Sequence, residues 1–187
     1  MTIVYIIIGI VAVTLIMVAS TYNSLVRLRN RVKNAWAQID VQLKRRHNLI
    51  PNLVETVKGF MTHERGTFEA VTKARNLAQK AVGTGVDAQS KAEGELSGAL
   101  ARLLVVVENY PDLKANQNFL ALQEELTSTE NKIGFSRQYY NDSVLRYNNK
   151  IQMFPSSIVA VMMSFKTSEF FEVTVAEERE APKVSFG

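Results

Sequence analysis

The chain has two imidazoles, His47 and His63, and no cysteine. That inventory excludes a thiolate metal site, a cysteine nucleophile and a disulfide framework, and it is neutral about compartment. His63-Glu64-Arg65-Gly66 begins like the helix of a zinc protease, but no second histidine follows four residues later to share a helix face with the first. His63 is expected at a turn between helices instead. Gly83-Thr84-Gly85 lacks both the lysine that reaches nucleotide phosphates and a preceding strand. No catalytic, metal-binding or cofactor-binding residue is assigned on this basis, and no small-molecule substrate is expected.

The polar residues that carry most weight are Arg137, Tyr140, Asn141, Tyr147 and Asn148. Tyr140-Asn141 and Tyr147-Asn148 repeat at a spacing of seven, so the tyrosines fall on one helical stripe and the asparagines on the next. Phenols and amides in such a ladder either pair with each other or with backbone to fix helix register, or present a ligand or partner site.

Four segments carry apolar residues at alternating steps of three and four, the pattern of helices packed along narrow seams. The first runs Val32, Trp36, Ile39, Leu43, Ile50, Leu53, Val57, Phe60, and with no Gly or Pro between Thr21 and Ile50 it is continuous with the apolar segment before it. Pro51 removes one helical hydrogen bond and predicts a bend there, with the seam resuming in phase. The second carries Phe68, Val71, Ala78 and Val82; the third carries Leu96, Leu100, Leu103 and Val107 and stops at Tyr110-Pro111-Asp112. Gly94 and Gly98 within it read as a close-packing pair. The fourth, Phe119 to Ile151, ends before Pro155. The expected fold is all-α: an N-terminal single-pass transmembrane helix continuing into an up-down-up-down four-helix bundle with long outer helices.

Unequal lengths sharpen this picture. The outer helices, Ser24 to Phe60 and Asn118 to Met153, are about 55 Å long, and the inner two, near Thr62 to Val82 and Asp87 to Asn109, only about 31 to 35 Å. The inner hairpin cannot cover the outer pair. Val32, Trp36 and Ile39 on one side, with Arg137, Tyr140, Asn141, Val144, Tyr147, Asn148 and Ile151 on the other, form the candidate assembly or partner surface of this stalk. Other subunits, a partner protein or the C-terminal tail folding back could complete it.

The first 26 residues contain no charged side chain, and Arg27, Arg29, Arg31 and Lys33 follow. From Ile3 to Ala19 only Gly9 and Thr14 interrupt the apolar run, which is long enough to cross a hydrocarbon core of roughly 30 Å. No basic region precedes it, and its cations follow it, so an uncleaved anchor fits better than a signal peptide. Tyr5 and Tyr22 lie at the headgroup levels, and the basic cluster places the N-terminus outside and the rest in the cytoplasm. Tyr5, Tyr22, Arg27, Arg29, Arg31 and Lys33 are thus the membrane-interface residues. Beside an anchor, the arginines read as topology and lipid contact, with no nucleic-acid partner. The expected layout is an anchor (1–23), a cytoplasmic bundle (24–155), an apolar juxtamembrane segment (156–165) and a tail (166–187).

Seven of the ten residues from Ser156 to Phe165 are apolar. The segment is too short to span a bilayer, and reads equally as an interfacial or partner-docking stretch and as a short helix closing the base of the bundle. Phe170 to Val175 has β-type residues with partial alternation, so the tail is either an extended arm added to a neighbour or disordered.

Together these motifs resemble the LemA family of bacterial membrane proteins. The resemblance is carried by Tyr22-Asn23, Trp36 with Ile39, Arg45-Arg46 leading into Leu49-Ile50-Pro51-Asn52-Leu53-Val54, Tyr110-Pro111-Asp112-Leu113 with Ala115 and Phe119, Glu130-Asn131 with Ile133, Arg137 with Tyr140-Asn141, Tyr147-Asn148, Phe154-Pro155 and Pro182-Lys183-Val184-Ser185-Phe186. Asn48 stands where family sequences often carry an acid. The resemblance implies a four-helix cytoplasmic bundle on one membrane helix and no enzymatic activity. Some relatives are encoded beside HtpX-type membrane metalloproteases and one serves magnetosome membranes. The expectation is a homo-oligomeric membrane scaffold or adaptor, with membrane lipid, further copies and a membrane metalloprotease as partners. The alternative is a lipid-surface organiser or envelope-stress sensor acting without a dedicated protein partner.

Overall fold

The computed structural model describes residues 1–61 and 63–172, and all regular structure within them is helical. Six helices follow in order: α1 (Thr2–Lys58), α2 (Arg65–Ala81), α3 (Val86–Val107), α4 (Pro111–Lys114), α5 (Gln117–Gln152) and α6 (Ser156–Met162). The chain is all-α with a long apolar N-terminal helix. The sequence expectations for residues 173–187 lie outside the described residues.

The apolar run and the first seam are one helix of 57 residues. Pro51 does not end it. The lost hydrogen bond and ring crowding cost a helix interior about 3 kcal/mol, but Ile50, Leu53, Val54 and Val57 are all buried around the proline. Burial contributes about 1.5–3 kcal/mol for each such side chain, so packing outweighs the defect. The helix is also the one candidate membrane span among the described residues, by length and composition.

α2, α3 and α5 begin and end within about one turn of their sequence expectations. Between α2 and α3 the chain needs backbone that only glycine adopts freely, with Gly83 at φ 81° and Gly85 at φ 122°. The Tyr110-Pro111-Asp112 stop is more than a turn: Pro111 opens the one-turn α4, where its missing N–H is no loss.

The chain divides into two compact units, and α1 and α5 each run through both. In the unit of Asp40–Phe135 and the chain from Phe170, four helices line one core. Ile50, Leu53 and Val57 come from α1, Phe68, Val71 and Ala78 from α2, Leu96, Leu100 and Leu103 from α3, and Phe119 and Leu126 from α5. Leu113 of α4 joins them. In the unit of Met1–Ile39 and Ser136–Glu169, α1 buries Leu25, Val32, Ala35 and Ile39, and α5 buries Tyr140, Val144 and Tyr147. This unit is not two bare helices, because α6 adds Val159 and Ala160, packed with Leu25.

Candidate functional site

In the Met1–Ile39 and Ser136–Glu169 unit, the seam predicted for assembly is closed by the chain itself. Val32, Ile39, Tyr140, Val144, Tyr147 and Asn148 are buried, and Trp36, Arg137, Asn141 and Ile151 are half-buried. The Trp36 and Tyr140 rings meet edge to face with centroids 5.3 Å apart, a geometry favoured by their quadrupoles. The Tyr140 hydroxyl donates to the Glu169 carbonyl at 2.9 Å. Asn148 binds Ser168 twice: its Nδ2 donates to the Ser168 carbonyl and its Oδ1 accepts from the Ser168 N–H, both at 2.9 Å. Of the three ways to complete the stalk, the single chain adopts the last, the C-terminal segment folding back. Most of this seam is therefore buried within the single chain.

A local device delivers that segment. After α6, the Phe165 N–H reaches the Ala160 carbonyl at 2.9 Å and the Ser164 N–H reaches the Val161 carbonyl at 3.1 Å. This pairing, with Ser164 left-handed at φ 55°, is the Schellman ending of a helix with serine where glycine is usual. It turns Phe165 back onto the Val159 and Ala160 cluster. There the Phe165 ring lies edge-on to Tyr22 with centroids 5.8 Å apart, and the Arg29 guanidinium carbon is 5.3 Å from its centroid. All six of Tyr5, Tyr22, Arg27, Arg29, Arg31 and Lys33 are exposed, and of them Tyr22 and Arg29 touch the returning chain through Phe165.

The titrations follow from this enclosure. Burial, reinforced by the charge of Glu169, pushes the Tyr140 hydroxyl up to about 12. Burial also raises the Tyr147 hydroxyl, against an opposing pull from Arg29. Both phenols are held neutral, which suits packing and hydrogen bonding and opposes a role as a base.

A second polar centre lies in the unit of Asp40–Phe135, and reading the sequence missed it. Arg46 is fully buried. Its Nη1 donates to Ser97 Oγ at 2.7 Å and to Glu130 Oε1 at 2.6 Å, and its Nη2 pairs with the carboxylate of Glu93, itself 1% exposed. His47 Nε2 approaches Glu93 Oε1 at 2.9 Å, close but without the alignment of a good hydrogen bond. The His47 carbonyl accepts from Arg75 Nε at 2.8 Å, bringing α2 into the network. Burial pushes the Glu93 carboxyl up, but the His47 contact and the Arg46 charge more than offset it, leaving the group below its ordinary range. The signal was present in the spacing. Arg46 continues the series Ile39, Leu43, Ile50, Leu53 at steps of four and three, and Glu93 continues Leu96, Leu100, Leu103.

His63 sits exposed in the turn between α1 and α2. Among the described residues no three His, Asp or Glu side chains gather as metal ligands. The buried Arg46 network joins opposite charges across three helices and a histidine to a carboxylate. Its chemistry is structural pairing.

The LemA family pattern matches residues 35–186. Magnetosome protein MamQ 2 of Paramagnetospirillum magneticum is 25% identical over 175 residues, covering 81% of this chain and 64% of the relative. Magnetosome protein MamQ of Magnetospirillum gryphiswaldense is 24% identical over 174 residues, covering 80% and 64%. Protein LemA of Metamycoplasma hominis is 27% identical over 157 residues, covering 83% and 70%. The chain spans less than two thirds of the length of these MamQ relatives. The family match takes in the seam from Trp36 to Ile151 and all of Arg46, Glu93 and Glu130, and on that coverage the chain belongs to the LemA family.

Proposed function

We propose that this protein is a non-catalytic scaffold of the LemA type, anchored in a bacterial cytoplasmic membrane by the first turns of α1, with its N-terminus outside. Several copies assemble in the membrane, and the assembly positions or regulates a membrane protein, a metalloprotease of the HtpX type being the partner this reading names. One observation carries the proposal: the helix that is apolar enough to span a bilayer also supplies Leu25, Val32 and Ile39 to one core and Ile50, Leu53 and Val57 to the other. Anchoring and folding share one element, which is what a membrane-bound platform requires and what a diffusing enzyme with a detachable leader does not. The family membership and the magnetosome names of two relatives fit a membrane role.

The test is native-mass measurement of the full-length protein extracted in mild detergent. A defined multi-chain species is expected. A monomer at every protein-to-detergent ratio contradicts the assembly part of the proposal.

A further inference from the structure

We infer that α6 is a second membrane contact, lying in the bilayer interface beside the exit of α1 with its outer face in lipid. The inference rests on the reading that α1 spans the membrane and adds a surface to it.

The 15 residues from Ile151 to Phe165 carry no charge and are bracketed by Lys150 and Lys166. Within them α6 has two faces. Ser156, Val159 and Ala160 are buried, whereas Ile158, Val161 and Met162 are exposed, Val161 by 79%. The exposed set recurs at steps of three and one, a single stripe opposite the buried one. Met153 and Phe154, the latter 82% exposed, extend this apolar surface before the helix begins. Scattered apolar residues on a surface need no explanation, but a continuous charge-free patch does.

Its position names the occupant. Val159 and Ala160 pack with Leu25, and Val18 joins the same cluster, so α6 sits against α1 at the last turns of the apolar run, just before Arg27. A helix of 7 residues is about 10 Å long and cannot cross a bilayer. Placed at the end of a span, it can only lie along the interface, as amphipathic segments do when their apolar face enters the headgroup and acyl boundary. The surrounding charge agrees. Arg29 caps the Phe165 ring, and Lys150, Lys166, Arg27 and Arg31 supply cations that an anionic phospholipid surface attracts. Tyr22 and Phe165, stacked edge to face, form the aromatic pair expected at that depth.

The absence of native cysteine makes the test direct. Single variants Val161→Cys, Met162→Cys, Ile16→Cys and Thr127→Cys of the full-length protein are labelled with an environment-sensitive fluorophore. They are reconstituted in phosphatidylcholine and phosphatidylglycerol vesicles carrying nitroxide quenchers near the headgroup or deep in the acyl chain. The expected result is strong quenching at 161 and 162 by the shallow quencher, corresponding to a depth of about 5–10 Å below the surface, deep quenching at 16, and none at 127. Quenching at 16 but not at 161 or 162 overturns the inference and leaves the anchor standing. No quenching at any position overturns the anchor reading as well. Labels at 161 and 162 shielded from aqueous iodide but untouched by lipid quenchers place a second copy of the chain on this face and also overturn the inference.

Discussion

The two units hold their helices together with opposite kinds of polar chemistry. In one, Arg46 and Glu93 bring full charges from two helices into the core, and Glu130 joins them from a third at its edge. In the other, neutral groups of a single helix, Tyr140 and Asn148, reach to the backbone of a segment with no regular structure. The charges meet groups that are already fixed on helices, and their strict pairing discriminates one helix register from another. The asparagine does something a charge cannot: its amide both donates and accepts, so one side chain satisfies the N–H and the carbonyl of Ser168 together. A returning segment without ladder partners needs that, since buried unpaired backbone groups are costly.

The largest effect is expected where charge is most deeply buried. Arg46→Ala leaves Glu93 without its cation in a dry site and should cost about 3–5 kcal/mol, measured by denaturant unfolding of the detergent-solubilised protein. The double change Arg46→Met with Glu93→Leu should recover much of that loss, because it removes both charges; a loss equal to the sum of the single changes would show that the pair is not coupled. Acid probes the same centre. Glu93 is lowered from its ordinary value of 4.5, so its contribution is complete above that value and disappears as pH falls through the lower folded value. Loss of stability as pH falls below 4.5 should therefore be shallower in the double variant.

The neutral clasp should break more gently and more locally. Asn148→Ala removes both bonds to Ser168 and should cost about 1–3 kcal/mol, with amide exchange rising at residue 168 and little change in the Asp40–Phe135 unit. Tyr140→Phe deletes a single hydrogen bond to Glu169 and should cost about 1 kcal/mol. Because the Tyr140 hydroxyl is raised to about 12, its contribution is complete below the ordinary tyrosine value and is lost as pH rises through 12. A phenol titrating near 12 in an alkaline absorbance titration, absent from Tyr140→Phe, checks this. Arg45→Ala should change least, within about 1 kcal/mol, since both it and its partner Glu125 are substantially exposed.

The helices were legible in the sequence because their seams are regular, and the continuity through Pro51 followed from the seam keeping phase. The same regularity concealed Arg46. The apolar series skips from Leu43 to Ile50, and a residue that completes the series in position but not in polarity reads as a gap. Glu93 was hidden in the same way, one step before Leu96. The closure of the stalk by residues 165–169 was named only as one of three options. The turn that delivers it uses Ser164 in a left-handed conformation, where glycine would have announced a helix end. Unequal helix lengths pointed to a third element and left open whether the chain, a partner or another copy supplies it.

Assembly of anchored copies in the membrane can be read by disulfide cross-linking in native membranes, using single cysteines at the exposed positions Lys33 and Arg146, which flank Trp36 and Tyr147. A discrete cross-linked species is expected at these sites, persisting in Asn148→Ala and vanishing when α1 is shortened to begin after residue 23. Monomer alone at both positions in intact membranes contradicts it.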